Sequence, residues 1–166
     1  MNKYKIRRIL STILIIALLY VILTVVCSAK GLASGPFQLR ISEALCILPI
    51  FTPSAIPGLF LGCLTANWIT GGVELDIILG SITTLVGGVG TYLLRKHRYI
   101  ACVPPIIANM VILPYILINI YGLHQSFISL MLMIGISEFI CVFVLGQLLV
   151  SVLKYMKLDD FIEKMR

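Results

Sequence analysis

The chain has 166 residues, of which 60% are hydrophobic and 12% charged, and its mean hydropathy is +1.07. That composition excludes a water-soluble globular domain and describes an integral membrane protein. The net charge of +6 does not point to nucleic acid, because the basic residues fall in short runs between apolar segments rather than along one face.

The first apolar run covers residues 9–29 and follows Lys3, Lys5, Arg7 and Arg8. As a helix it measures roughly 31 Å, enough to cross the hydrocarbon core and too long for the core of a signal peptide. An uncleaved first helix is therefore expected. Residues 30–36 read as a loop. The second segment, residues 37–51, would span only roughly 22 Å, and Pro49 and Pro53 turn the chain near its end.

A third helix over residues 54–70 carries Gly58, Gly62 and Ala66 one turn apart, a pattern for close helix packing. Gly71, Gly72, Glu74 and Asp76 form the next loop. The fourth helix, residues 77–94, repeats the small-residue spacing at Gly80, Thr84 and Gly88 and ends at Arg95, Lys96, His97 and Arg98. The fifth, residues 99–121, contains Pro104, Pro105 and Pro114, which imply a late start or kinks. After Gly122, Leu123, His124 and Gln125 the sixth runs from residue 126 to about 153, followed by an amphipathic basic tail.

These segments predict an all-α integral membrane protein: one domain over residues 1–166 with six transmembrane helices. Lys3, Lys5, Arg7, Arg8, Arg95, Lys96, Arg98, Lys154, Lys157, Lys164 and Arg166 then share one side, eleven of the thirteen Lys and Arg. By the positive-inside rule both termini are cytoplasmic, and the loops near Lys30, Glu74 and His124 lie outside.

Cys27, Cys46, Cys63, Cys102 and Cys141 occupy five different apolar segments without metal-ligand spacing, so they read as small buried residues. His97 and His124 fall on opposite faces of this topology, which leaves neither a metal site nor a catalytic relay to assemble. No enzyme chemistry and no cofactor are expected.

The functional candidates are polar groups inside apolar segments. An ionisable side chain at the centre of a bilayer helix costs about 2.5–3.5 kcal/mol on insertion scales, so it faces a partner, a protein interior or a ligand. Arg40, Glu43, Asn67, Asn109 and Glu138 meet that description. Counted from the outer ends, Asn67 lies roughly 5 Å deep, Glu43 about 10 Å, and Asn109 and Glu138 about 18 Å, which makes two tiers. Arg40 and Glu43, three residues apart, are placed to pair with each other, and the asparagines to bridge helices. Glu138 has no basic neighbour in sequence and reads as a carboxylate held for a ligand. Trp68 and Tyr121 read first as interfacial anchors and second as stacking rings. The residues alone also leave open a proton-coupled carrier working through Glu138 and a structural assembly protein.

SGPFQLRISEAL (residues 34–45), LPIFTPSAIPGLFLGCLTAN (48–67), DIILGSITTLVGGVGTYLLRK (76–96), VPPIIAN (103–109) and GISE (135–138) resemble the QueT-type queuosine-precursor transporters. These are substrate-binding S components of energy-coupling factor (ECF) importers, and the resemblance covers nearly the whole chain. It implies a multi-pass protein of the bacterial plasma membrane that binds a 7-deazaguanine, such as 7-aminomethyl-7-deazaguanine, on its outer side. It also implies a transmembrane coupling subunit and two ATPases as partners. The absence of a GxxxxGK[ST] phosphate loop from this chain fits that division of labour.

The expected substrate-binding set is Gln38, Arg40, Glu43, Asn67, Trp68, Asn109 and Glu138. Glu138 and Asn109 are expected to read the guanine edge below, while Glu43 with Asn67 receives an ammonium above. S components often dock through small residues one turn apart on the first helix, whereas here Ala17 is followed by Val21. Ala17 with Gly80, Thr84 and Gly88 is then the expected docking face.

Overall fold

The computed structural model describes residues 3–33 and 37–157, and every regular element among them is helical. The chain order is α1 (Lys3–Ala29), a 3₁₀ helix (Ile41–Ile50), α2 (Ala55–Ile69), α3 (Glu74–Leu93), a 3₁₀ turn (Ile100–Cys102), α4 (Val103–Asn119), α5 (Phe127–Glu138), a π-helical segment (Phe139–Leu145) and α6 (Gly146–Tyr155). The last three run on without a break, so the six apolar segments of the sequence become six helical bodies. Four of these are long and apolar enough to cross a membrane: Lys3–Ala29, Glu74–Leu93, Ile100–Asn119 and Phe127–Tyr155. Ile41–Ile50 and Ala55–Ile69 are shorter apolar helices. The predicted tail residues Lys164 and Arg166 and the loop residues Ser34, Gly35 and Pro36 lie outside the described residues.

The apolar residues sort by face. Along α1 a stripe of Thr12, Ile16, Tyr20, Thr24 and Cys27 is buried, while Leu14, Ile15, Leu18, Leu19 and Ile22 are exposed. A helix that is hydrophobic all round while half its side chains stay uncovered requires an apolar solvent, which the lipid supplies. Without a hydrophobic drive between helices in that solvent, close packing at small residues holds them together.

Glycine contacts show this packing directly. A Cβ on Gly62 would lie 2.7 Å from Tyr20 Cβ and 3.0 Å from the Ala17 carbonyl, and one on Gly58 would lie 3.0 Å from the Ile13 carbonyl. The predicted GxxxG stripe of α2 is therefore seated on α1. On the other flank of α3, Gly87 and Gly90 admit Pro105 and Pro104, whose rings would lie 2.8–2.9 Å and 2.4–2.9 Å from added Cβ atoms. Those two prolines occupy the first turn of α4, where a missing N–H breaks no helical bond. The late helix start is thus observed, and Thr91 Oγ1 donates to the Ala101 carbonyl (2.9 Å) just before it.

The expected docking face is corrected by this packing. Gly80, Thr84 and Gly88 are buried, with Gly80 against the Asn67 side chain and Gly88 facing Ile56 and Leu59. Ala17 backs onto Gly62. Gly80, Thr84 and Gly88 are thus turned inward, away from an external partner, while Ala17 is half-buried.

Candidate substrate site

Two uncommon helical geometries hold the two buried glutamates. The 3₁₀ helix Ile41–Ile50 is ten residues long, whereas such runs seldom exceed three or four, and every residue from Ser42 to Pro49 is buried. With about three residues per turn its side chains form three rows, and it packs against α1, α3, the π segment and α6. Glu43 lies in its first turn. Glu138 ends α5 at the junction with the π segment, which itself packs on the 3₁₀ helix. π turns inside α-helices occur frequently at functional sites, and this one shifts the register of everything beyond Glu138.

The polar network can be followed atom by atom. Tyr20 Oη donates to Glu43 Oε1 (2.5 Å) and Cys46 Sγ donates to Glu43 Oε2 (3.0 Å). Beside them Thr24 Oγ1 donates to Ser42 Oγ (2.7 Å). Arg40 Nη2 donates to Asn67 Oδ1 (2.8 Å), and Asn67 Nδ2 reaches Cys63 Sγ (3.6 Å). Arg40 thus bonds to Asn67 of α2, and Glu43 accepts from Tyr20 of α1 and from Cys46 of its own helix, replacing the local pair expected from their spacing. A three-residue offset on a 3₁₀ helix would stack them, but Arg40 precedes that helix in extended backbone and turns toward α2.

Glu43, Asn67, Asn109 and Glu138 are only 1–5% exposed. Asn109 is a hydrogen-bonding neighbour of Glu138, and the charges of Glu43 and Arg40 both act on Glu138. Two buried side-chain atoms among the described residues have no hydrogen-bond partner: the Arg40 Nε donor and the Glu138 Oε2 acceptor. An orphaned buried polar atom carries its full desolvation cost, about 1–3 kcal/mol and more when charged. Unpaired buried polar atoms of this kind call for an explanation, and here one donor and one acceptor lie among the candidate site residues.

Arg40 and Asn67, but not Glu43, Asn109 or Glu138, also line a cavity of about 280 Å³, at the small end of the range for small-molecule sites. Gln38, Arg40, Asn67 and Asp76 provide its charged and amide lining, with Leu113, Ile116 and Leu117 of α4 as an apolar wall. Tyr121 Oη closes one side by donating to Asp76 Oδ2 (2.7 Å) while accepting from the Val73 N–H (3.4 Å). Burial, and then the bond to Asp76, raises the Tyr121 phenol above its ordinary pKa and keeps it a donor.

The sequence model of the QueT transporter family matches residues 10–155. The chain belongs to the QueT transporter family. A curated relative, "Queuosine precursor transporter QueT" of Lactococcus lactis subsp. cremoris (strain MG1363), is 37% identical over 75 residues, which is 45% of this chain and 44% of that protein's length. The alignment therefore spans less than half of the relative. No solved structure matches. The family is one of transporters rather than enzymes, and with several apolar helices the chain fits a multi-pass protein of the bacterial plasma membrane.

Within this QueT family member the predicted site residues divide into three groups. Gln38, Arg40 and Asn67 line the cavity; Glu43, Asn109 and Glu138 are buried in the core; Trp68 is 72% exposed and does not line the cavity. An exposed Trp at the end of a short apolar helix is placed as an interfacial anchor. Sequence reasoning missed Tyr20, Cys46 and Asp76 and ranked Tyr121 as an anchor first. The spacing of Thr12, Ile16, Tyr20 and Thr24 along one face of α1 carried the signal for Tyr20, because polar residues four apart in a leucine-rich helix mark its protein-facing side.

Proposed function

We propose that this chain captures a queuosine precursor, 7-aminomethyl-7-deazaguanine or a close relative, as the S component of an ECF importer. The pair of open buried atoms, Arg40 Nε and Glu138 Oε2, carries this reading. A guanine-type edge presents a carbonyl acceptor beside N–H donors, so it supplies a partner to each: the carbonyl for the guanidinium and the N–H groups for the carboxylate. A carboxylate can accept two parallel N–H bonds, and Asn109 adds an amide beside it. The printed name of the Lactococcus relative supports the same ligand class.

Gln38, Arg40 and Asn67 receive the ligand in the cavity, Glu138 and Asn109 read its edge from below, and Glu43 orders the floor through Tyr20 and Cys46. Trp68 anchors the outer end of α2 in the headgroup region. All six helical bodies cross the membrane, with both termini on the basic, cytoplasmic side; the two short ones thin the local bilayer or gain length through the 3₁₀ rise of about 2.0 Å per residue. The chain carries no phosphate loop, so a transmembrane coupling subunit and two ATPases supply the energy.

Titration of the purified chain in detergent, with no ATPase present, tests this reading. Submicromolar binding is expected for the aminomethyl precursor, with the nitrile precursor and the free modified base compared alongside. Absence of binding to all three would overturn the assignment.

A further inference from the structure

We propose that Asp76, held by Tyr121 at the mouth of the cavity, receives a cationic substituent of the ligand, a primary ammonium, and so sets the preference between charged and uncharged precursors. This rests on the reading above that the ligand is a deazaguanine.

Charge around the site is unbalanced. Arg40 has Glu43 and Asp76 as electrostatic neighbours, two carboxyls for one guanidinium. A ligand carrying positive charge offsets that excess. The three acids, Glu43, Glu138 and Asp76, are not equivalent. Both oxygens of Glu43 already accept from Tyr20 and Cys46, and Glu43 does not line the cavity. Glu138 lies in the core beside Asn109 with one oxygen unpaired, and it too does not line the cavity. Asp76 is the one carboxyl lining the cavity among the described residues.

Its carboxylate is also oriented in advance. Tyr121 bonds Oδ2, while Oδ1 lies 3.6 Å from where a Cβ on Gly80 would stand and Asn67 Nδ2 lies 3.1 Å from the same point. Any side chain at Gly80 would push into this corner. The Val73 N–H bond to Tyr121 ties the start of α3 to the chain just beyond α4, so Asp76 keeps its position without the ligand. A preordered, half-buried carboxylate beside a cavity binds an ammonium more strongly than a freely solvated one. The ammonium receptor thereby moves from Glu43 to Asp76.

The test is titration of wild type, Asp76→Asn, Asp76→Glu and Tyr121→Phe with the aminomethyl and the nitrile precursors. Asp76→Asn should weaken the aminomethyl compound by about tenfold or more, leave the nitrile within about threefold, and flatten the salt dependence of aminomethyl binding. Asp76→Glu should recover part of the loss. Retained nitrile binding certifies the fold of each variant. If Asp76→Asn fails to fold, Tyr121→Phe, which keeps the carboxylate but frees it, should lose about threefold for the aminomethyl compound alone. Equal losses for both ligands, or a selective loss in Glu43→Gln with Asp76→Asn silent, would overturn the proposal. Wild type binding neither compound would instead overturn the queuosine-precursor reading, and this inference with it.

Discussion

Glu43 and Glu138 are chemically identical and almost equally buried, yet their hydrogen-bonding surroundings differ. Each oxygen of Glu43 accepts a hydrogen bond, from Tyr20 or Cys46, whereas one oxygen of Glu138 has no partner. Glu138→Gln would place an amide donor against the N–H groups of the ligand, so the expected cost is about 2–5 kcal/mol for charged and uncharged deazaguanines alike. Calorimetric titration of both compounds checks this, and a loss confined to the charged one would contradict it. Tyr20→Phe removes a donor from a buried carboxylate while keeping the ring, and about 1–3 kcal/mol of thermal stability in detergent should go with it. The carboxylates and asparagines were legible in the sequence because polar atoms inside apolar runs need partners. Asp76 was not, since the sequence placed it in a loop, where an acid is ordinary, and only the folded chain puts it in the first turn of α3 beside the cavity.

The positions of the helical segments could be read from Pro, Gly and charge punctuation, and the Gly58–Gly62 stripe foretold close packing, whereas on α3 the tight approaches are at Gly87 and Gly90 rather than at Gly88. Helix type could not be read. Where nearly every residue of ISEALCILPI or FICVFVL is apolar, hydrophobic periodicity carries no information, so a 3₁₀, α or π winding gives the same pattern. Tertiary packing decides it, with the two segments lying against each other around the glutamates. Deleting Val144, an exposed residue of the π segment, would favour an α register and rotate α6 against α5 by about 100°. Glu138 and the clamp of Arg98 on Gln147 and Ser151 could then no longer both keep their places. The expected result is retained helicity by circular dichroism with at least tenfold weaker ligand binding, and unchanged affinity would show the π segment to be incidental. For the packed stripe, Gly62→Ala forces a Cβ to 2.7 Å from Tyr20 Cβ and should cost about 1–3 kcal/mol, whereas the Gly88→Ala methyl meets nothing nearer than 3.9 Å and should stay within about 0.5 kcal/mol. Parallel thermal melts of the two variants separate close packing from a generic intolerance of alanine.

At the scale of the whole molecule, transport needs a source of energy, and the choice lies between protons and a partner ATPase. A buried carboxyl with an open oxygen, as at Glu138, is also what a proton-coupled carrier would use. A carrier of that kind must expose its site alternately to both sides, commonly by rocking one structural repeat against another. No internal repeat is evident in this sequence, and the helices are locked by glycine contacts at which an added methyl would collide with backbone or proline rings. Close packing of this kind is compatible with the capture role proposed above. In a host lacking energy-coupling subunits, this chain alone should therefore give no accumulation of labelled precursor above the external concentration, and co-expression of a coupling protein with its two ATPases should establish it. Vanadate or a Walker-lysine substitution in the ATPases should abolish that uptake, while a protonophore applied at constant cellular ATP should leave it largely intact. Accumulation by the chain alone, collapsed by the protonophore and by Glu138→Gln together, would assign Glu138 to proton coupling instead.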